Sequence, residues 1–349
     1  MKTTVSVLGA GVGSYPGLSR AHPRLLEEAS KRLREQEGGL LADSFVARCA
    51  DGLELVMTHT RGVGDEEILD LGRDVLQSCV GIAAGMRLHT AGRGSIPVPV
   101  EMEFEERGSE PVLLFMAAGA REGAGNLHLF RTFADPFTTP GLVDNLSMRD
   151  GFVFEVHDLA GRRKALFRTP EESYALLACI GEPARYVVAR VYSKDGAIAA
   201  AASSGWPGRG EHLGSTYQVT LVRAESGFPT VGECLAPFMT PFLVAGGLTT
   251  TTYAPLMPVA VCDANRTLGD GPPRATCLGF QVCTGRLIGP ADMFDDPAFD
   301  PVRRRCLELG EMLFGHGPFE PHHSRAREAE TTTRLVAGPR PQDRWEPLG

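Results

Sequence analysis

The chain has 349 residues, 43% of them hydrophobic and 22% charged, with a formal net charge of -8. That length and composition fit a globular protein with ample core material, as one large domain or two smaller ones. They argue against a nucleic-acid partner, since phosphate backbones select basic faces, and against a membrane span, since the longest apolar run, Leu235 to Leu248, is cut by Pro237 and Pro241.

The alternating Thr3-Thr4-Val5-Ser6-Val7 predicts a strand over 3–8 that runs into the glycine-rich "LGAGVGSYPG". Gly9 and Gly11 fit the start of a dinucleotide-binding turn, but Ser14 stands in the third glycine's place. Pro16 and Gly17 interrupt the helix that should follow, so the stretch reads as a loop after a strand. Helical periodicity begins at His22-Pro23 and predicts a helix over 22–36. A strand at 53–60, a helix at 65–85, and strands at 100–106, 111–117 and 152–159 follow. Then come a helix at 170–180, strands at 185–192, 197–203 and 217–224, and helices at 231–238 and 300–314. Strands that cluster and alternate favour antiparallel sheets with helices on their outer faces. The tail from 336 to 349 is rich in Pro, Gly and charge and is expected to be extended or mobile.

Several chemistry-bearing residues have plainer roles. Glu101, Glu103 and Glu105 share one face of a strand, as a solvated or salt-bridged row would. Asp295-Asp296 and Asp300-Pro301 read as helix caps. His59 reads as a satisfied core histidine, and Cys49 as a small buried residue. His316, His322 and His323 lack a partner cluster with zinc-like spacing. The eight cysteines contain no C-x-x-C pair, and Met1-Lys2-Thr3 leads straight into a strand, so a cytoplasmic protein with reduced thiols is expected.

"MKTTVSV", "LVMTHTRG" (55–62), "EMEFEERGSEP" (101–111), "FADPFTTPGLV" (133–143), "IGEPARYVVARVY" (180–192), "APLMPV" (254–259), "DGPPR" (270–274) and "GPADMFDDPAFD" (289–300) resemble the fructose 1,6-bisphosphate aldolase/phosphatases of archaea and deep-branching bacteria. The resemblance covers residues 1 to about 335 and implies one domain there. It implies an α+β fold, a four-layer α-β-β-α sandwich of mainly antiparallel sheets with helices on the outer faces, assembled as an octamer. It also implies a lysine Schiff base and magnesium-assisted loss of phosphate.

Carried over position by position, most of the family's functional groups are replaced. Gly9 and Gly11 stand for a lysine and a metal-binding aspartate, Leu18 for a metal-binding histidine, and Asp51-Gly52 for a pair of aspartates. Ala117 to Ala120 replace an Ala-Asp-Lys-Thr segment, Ser215 takes the Schiff-base lysine's place, and a C-terminal tyrosine is lost near Glu330. One carboxylate cannot hold several magnesium ions against their hydration, and an imine needs a lysine. No metal and no cofactor are therefore expected. New polar groups stand near the losses: His89 and Arg93 align with a substrate-contacting tyrosine and glutamine, Glu225 with a glutamine, and Thr249 to Thr252 with an Arg-Gly-Ser-His run. His212, Tyr217, His89 and Asp51 are the expected acid and base groups. Arg93, Ser215, Glu225, Thr249, Thr251, Tyr253 and Asp270 are the expected substrate contacts. These groups predict a repurposed lyase, isomerase or cyclase acting on a small oxygenated carbonyl metabolite. The alternative is a non-catalytic ligand-binding or partner protein, and retained aldolase/phosphatase chemistry ranks last.

Overall fold

The computed structural model describes residues 1–14, 20–89, 99–118, 120, 123–182, 185–203, 218–245, 253–265, 272–315 and 344–348. The chain opens with β1 (Lys2–Gly11), α1 (Pro23–Arg34), β2 (Asp43–Cys49), β3 (Gly52–His59), α2 (Glu66–Gly85) and β4 (Val100–Glu105). These strands form an antiparallel sheet in the order β2-β3-β1-β4. The expected strand at 3–8 extends to Gly11, so Gly9 and Gly11 lie inside a strand and not in a loop. Local chemistry sets the helix starts. His22 Nδ1 accepts from Arg24 N, ahead of Pro23 in the first turn of α1, and Asp65 accepts from Ile68 N at the head of α2.

The remainder runs through β5 (Glu110–Ala118), α3 (Ala124–Ala134), the single turn α4 (Gly141–Asp144), β6 (Phe152–Asp158), β7 (Arg163–Arg168) and α5 (Ser173–Ile180). It continues with β8 (Tyr186–Ser193), β9 (Ile198–Ala202), β10 (Gln218–Arg223), α6 (Val231–Leu235), β11 (Leu243–Ala245), β12 (Tyr253–Pro255) and β13 (Met257–Pro258). β14 (Arg274–Cys283), β15 (Arg286–Asp292), α7 (Asp300–Gly315) and β16 (Glu346–Pro347) complete it. Among the described residues, ten of these strands make a second sheet in the order β13-β14-β5-β10-β9-β8-β6-β7-β16, with β15 on β14. Only β13 and β14 pair in parallel within it. The class is α+β with mostly antiparallel sheets, as expected.

Three apolar cores follow from strand alternation. Leu8, Leu53, Leu55 and Met57 face Leu25, Ala29 and Leu33 of α1 and Ile68, Val75 and Leu76 of α2. Val5, Val7 and Val56, on the opposite face, meet Leu114, Met116, Val219, Leu221 and Leu278 of the larger sheet. That sheet's other face, through Leu113, Phe115, Phe152 and Phe154, meets α3, α5 and α7. Because both its faces are covered, β3 is buried at all eight positions and lacks the polar alternation of a half-exposed strand.

β2, α3, α4, β7 and β11 to β16 lie outside the expected elements. In α3 the buried positions include Asn126, His128 and Thr132, which mask the apolar period. Asn126 donates to Tyr186 O and accepts from Val188 N, joining α3 to β8 through polar contacts. The described part of the tail, residues 344–348, is anchored. Glu346 and Pro347 pair with Lys164 and Arg163, and the Trp345 ring lies 5.6 Å from that of Tyr186.

Candidate functional site

The C-terminal end of β1 and the start of β3 form one end of the layer between the sheets. Ser14 and His89 exchange backbone hydrogen bonds there, Ala21 N donates to Ala50 O, and Ala50 N donates to Ala264 O. Asp51 is buried at this end, and His89 is exposed beside Ser14. The fold thus gathers two of the expected catalytic residues on neighbouring segments.

The other expected residues divide. Glu225 is exposed beyond Arg223, which pairs with Val112, whereas the site lies toward Ala118. The length of β10 separates Glu225 from Asp51 by roughly 20 Å, so the fold does not join them within one chain. Tyr253 is half-buried in β12 opposite Ala245. His212, Tyr217, Arg93, Ser215, Thr249, Thr251 and Asp270 lie outside the described residues, as do His316, His322 and His323.

One group at this end was not anticipated from the sequence. Glu54 lies opposite Gly9 and two positions from Val56, so its side chain enters the inter-sheet layer. It is 1% exposed, and among the described residues neither carboxylate oxygen has a hydrogen-bond partner. A Cβ at Gly9 would overlap those oxygens, so the glycine's missing side chain is what gives Glu54 its place. Burial pushes the carboxyl up to about 8, which keeps it protonated at neutral pH and able to donate a hydrogen bond.

Around it, Cys49 is buried and its thiol is pushed well up, first by burial and then by Glu54 and Asp51; Thr276 hydrogen-bonds it. That makes Cys49 a packing residue, as expected, and not a nucleophile. Arg274 and Thr276 alternate with Ala275 and Cys277 of the outer core and so face the layer. Arg274 donates through Nη1 to Asp263 O at 2.5 Å, while its Nε is buried without a partner among the described residues.

The opposite end of the same sheet is a closed polar network. Ser6 Oγ donates to Glu101 Oε1 at 2.7 Å, and Gly64 N donates to Glu101 Oε2 at 2.9 Å. Arg61 N donates to His59 Nδ1, which leaves Nε2 to donate to Ser6 Oγ at 2.9 Å. His59 is the satisfied core histidine anticipated. Glu101 departs from the expected solvated row, being buried and bonded, whereas Glu103 pairs with Lys2 at 2.6 Å.

Magnesium takes six oxygen ligands in near-octahedral geometry. Among the described residues no three His, Cys, Asp or Glu side chains gather as a metal-binding group, so these residues do not fit the ion. The four lysines are elsewhere: Lys2 at the far end of β1, Lys31 on α1, Lys164 on β7, and Lys194 paired with Glu171.

Two sheets back to back, with helices on their outer faces and a buried, unpartnered carboxyl where β1 ends, define an α+β protein of mostly antiparallel sheets. The chain belongs to the fructose-1,6-bisphosphatase family, whose pattern matches residues 2–346. It is 44% identical to the fructose-1,6-bisphosphate aldolase/phosphatase of Ignicoccus hospitalis, covering 99% of this chain and 94% of that protein. It is 42% identical to the aldolase/phosphatase of Thermococcus kodakarensis over 99% and 98% of the two chains. With that of Methanothermobacter marburgensis it shares 40% over the whole of both. These relatives overturn the expected lyase, isomerase or cyclase with metal-independent chemistry, which none of their names supports. They also reverse the ranking that placed aldolase/phosphatase activity last.

Proposed function

We propose that the chain acts on fructose 1,6-bisphosphate and removes one of its phosphates. The observation that carries this reading is 40–44% identity, over nearly the full length, to relatives named for that substrate. Of the two activities their name joins, the phosphatase is the one proposed, because an imine needs a lysine and none of the four stands at the inter-sheet end. Asp51, His89 and Glu54 are the acidic and basic groups there, and Arg274 is a cation on the same face.

The test is incubation of the purified chain with fructose 1,6-bisphosphate, with and without magnesium, following free phosphate and fructose 6-phosphate together. Stoichiometric appearance of both supports the reading; their absence under both conditions overturns it. We further propose that the chain is cytoplasmic, in keeping with eight free cysteines, and that no described helix is long and apolar enough to cross a membrane agrees with this. Self-association is proposed as well, supported by Phe137 at 96% and Tyr174 at 82% exposure, and sedimentation measures it.

A further inference from the structure

Glu54 is a costly residue for a fold to keep. A buried acid with no hydrogen-bond partner forfeits its hydration and gains nothing from the protein in return. Among the described residues none hydrogen-bonds it: Val56 and Val7 are apolar, and Gly9, Gly11, Gly52 and Ala118 contribute little or no side chain on the same face. The carboxyl therefore lies over small residues at the layer's end, with neither oxygen hydrogen-bonded among the described residues.

We propose that Glu54 is a ligand-contacting group that hydrogen-bonds a neutral oxygen function, a hydroxyl or carbonyl, of a sugar phosphate entering this end of the inter-sheet layer. The inference rests on the reading of the chain as acting on a sugar bisphosphate. A neutral partner is assigned because a phosphate placed against a carboxyl is repelled or must share its proton. Asp51 and the Cys49 thiol add no positive charge. The phosphate is left to a cation, and Arg274, with a buried Nε that has no partner among the described residues, faces the same layer. Gly9 belongs to the same device, since any side chain there would displace the carboxyl.

The test measures ligand-induced shifts in thermal midpoint for wild type, Glu54→Gln and Glu54→Leu. The ligands are fructose 1,6-bisphosphate, fructose 6-phosphate, fructose and inorganic phosphate, each titrated to give an apparent affinity. Wild type should bind at least one of the three sugars. Glu54→Leu should bind that sugar at least tenfold more weakly, Glu54→Gln within about threefold of wild type, and inorganic phosphate should not distinguish the variants. If Glu54→Leu fails to fold, Glu54→Ala removes the same carboxyl without adding bulk. Wild-type affinity in the truncated variant overturns the proposal, and so does a wild type that responds to none of the sugars. A wild type that ignores fructose 1,6-bisphosphate but binds another sugar through Glu54 overturns the phosphatase reading and leaves the contact standing.

Discussion

The small sheet buries one glutamate on each strand that flanks β1, and the two are treated in opposite ways. Glu101, on β4 opposite Ser6 in the middle of β1, accepts from Ser6 Oγ and Gly64 N and holds the turn after β3 in place. Glu54, at the glycine end, is buried as deeply with no partner among the described residues. A carboxylate that serves the fold is surrounded by donors, because each missing bond to a buried polar group costs on the order of 1–3 kcal/mol. A carboxyl that lacks them is retained at the expense of stability, and a ligand is the reason advanced here.

The largest expected effect separates the two by pH. Glu54 ionises near 4.5 when unfolded and near 8 when folded, with burial as the cause. Between those values the folded chain holds a proton that the unfolded chain has lost. Stability fully present below about 4.5 therefore falls as pH rises through 8, by at most on the order of 5 kcal/mol. Denaturant titrations at several pH values should show that decline in wild type and a flatter profile in Glu54→Gln. Equal slopes would mean that the carboxyl is hydrated. Next in size, Glu101→Ala should cost about 2–4 kcal/mol, since it leaves the Ser6 hydroxyl and Gly64 N without their acceptor. A loss below 1 kcal/mol in the unfolding midpoint would show that the network relaxes without it.

The smallest effect sharpens the link between Gly9 and Glu54. Gly9→Ala should destabilise wild type by about 1–3 kcal/mol, because the new methyl meets the carboxylate. In a Glu54→Ala background the same change should be close to neutral, which is the coupling expected of residues in contact. Equal costs in both backgrounds would mean that the glycine is needed for the strand and not for the acid.

The same contrast explains how much was legible in the sequence. Strands with strongly apolar sequences, such as 111–117 and 152–159, and helices with clear caps, such as the one headed by Asp65, were readable because local pattern and burial agree. α3 was not, since its inward face carries Asn126, His128 and Thr132, whose partners lie on other elements. At the site, Asp51 was readable as the surviving carboxylate and the loss of lysine was plain. Glu54 was hidden, because it stands inside an otherwise apolar strand and acquires meaning only from its register opposite Gly9. The glycines invited a loop reading for a related reason: their task, leaving room for a side chain on the next strand, has no local signature. Counting replaced ligands in one pocket gave too little weight to similarity extending over nearly the whole chain.

The most direct measurement is the unfolding free energy of Glu54→Leu beside wild type near pH 7.5, without ligand. The account predicts a variant more stable by about 1–3 kcal/mol, because an unpartnered buried acid gives way to an apolar side chain of similar size. A loss of stability comparable to that of Glu101→Ala would contradict it, placing Glu54 among the groups that hold the fold and removing the reason to assign it to a ligand.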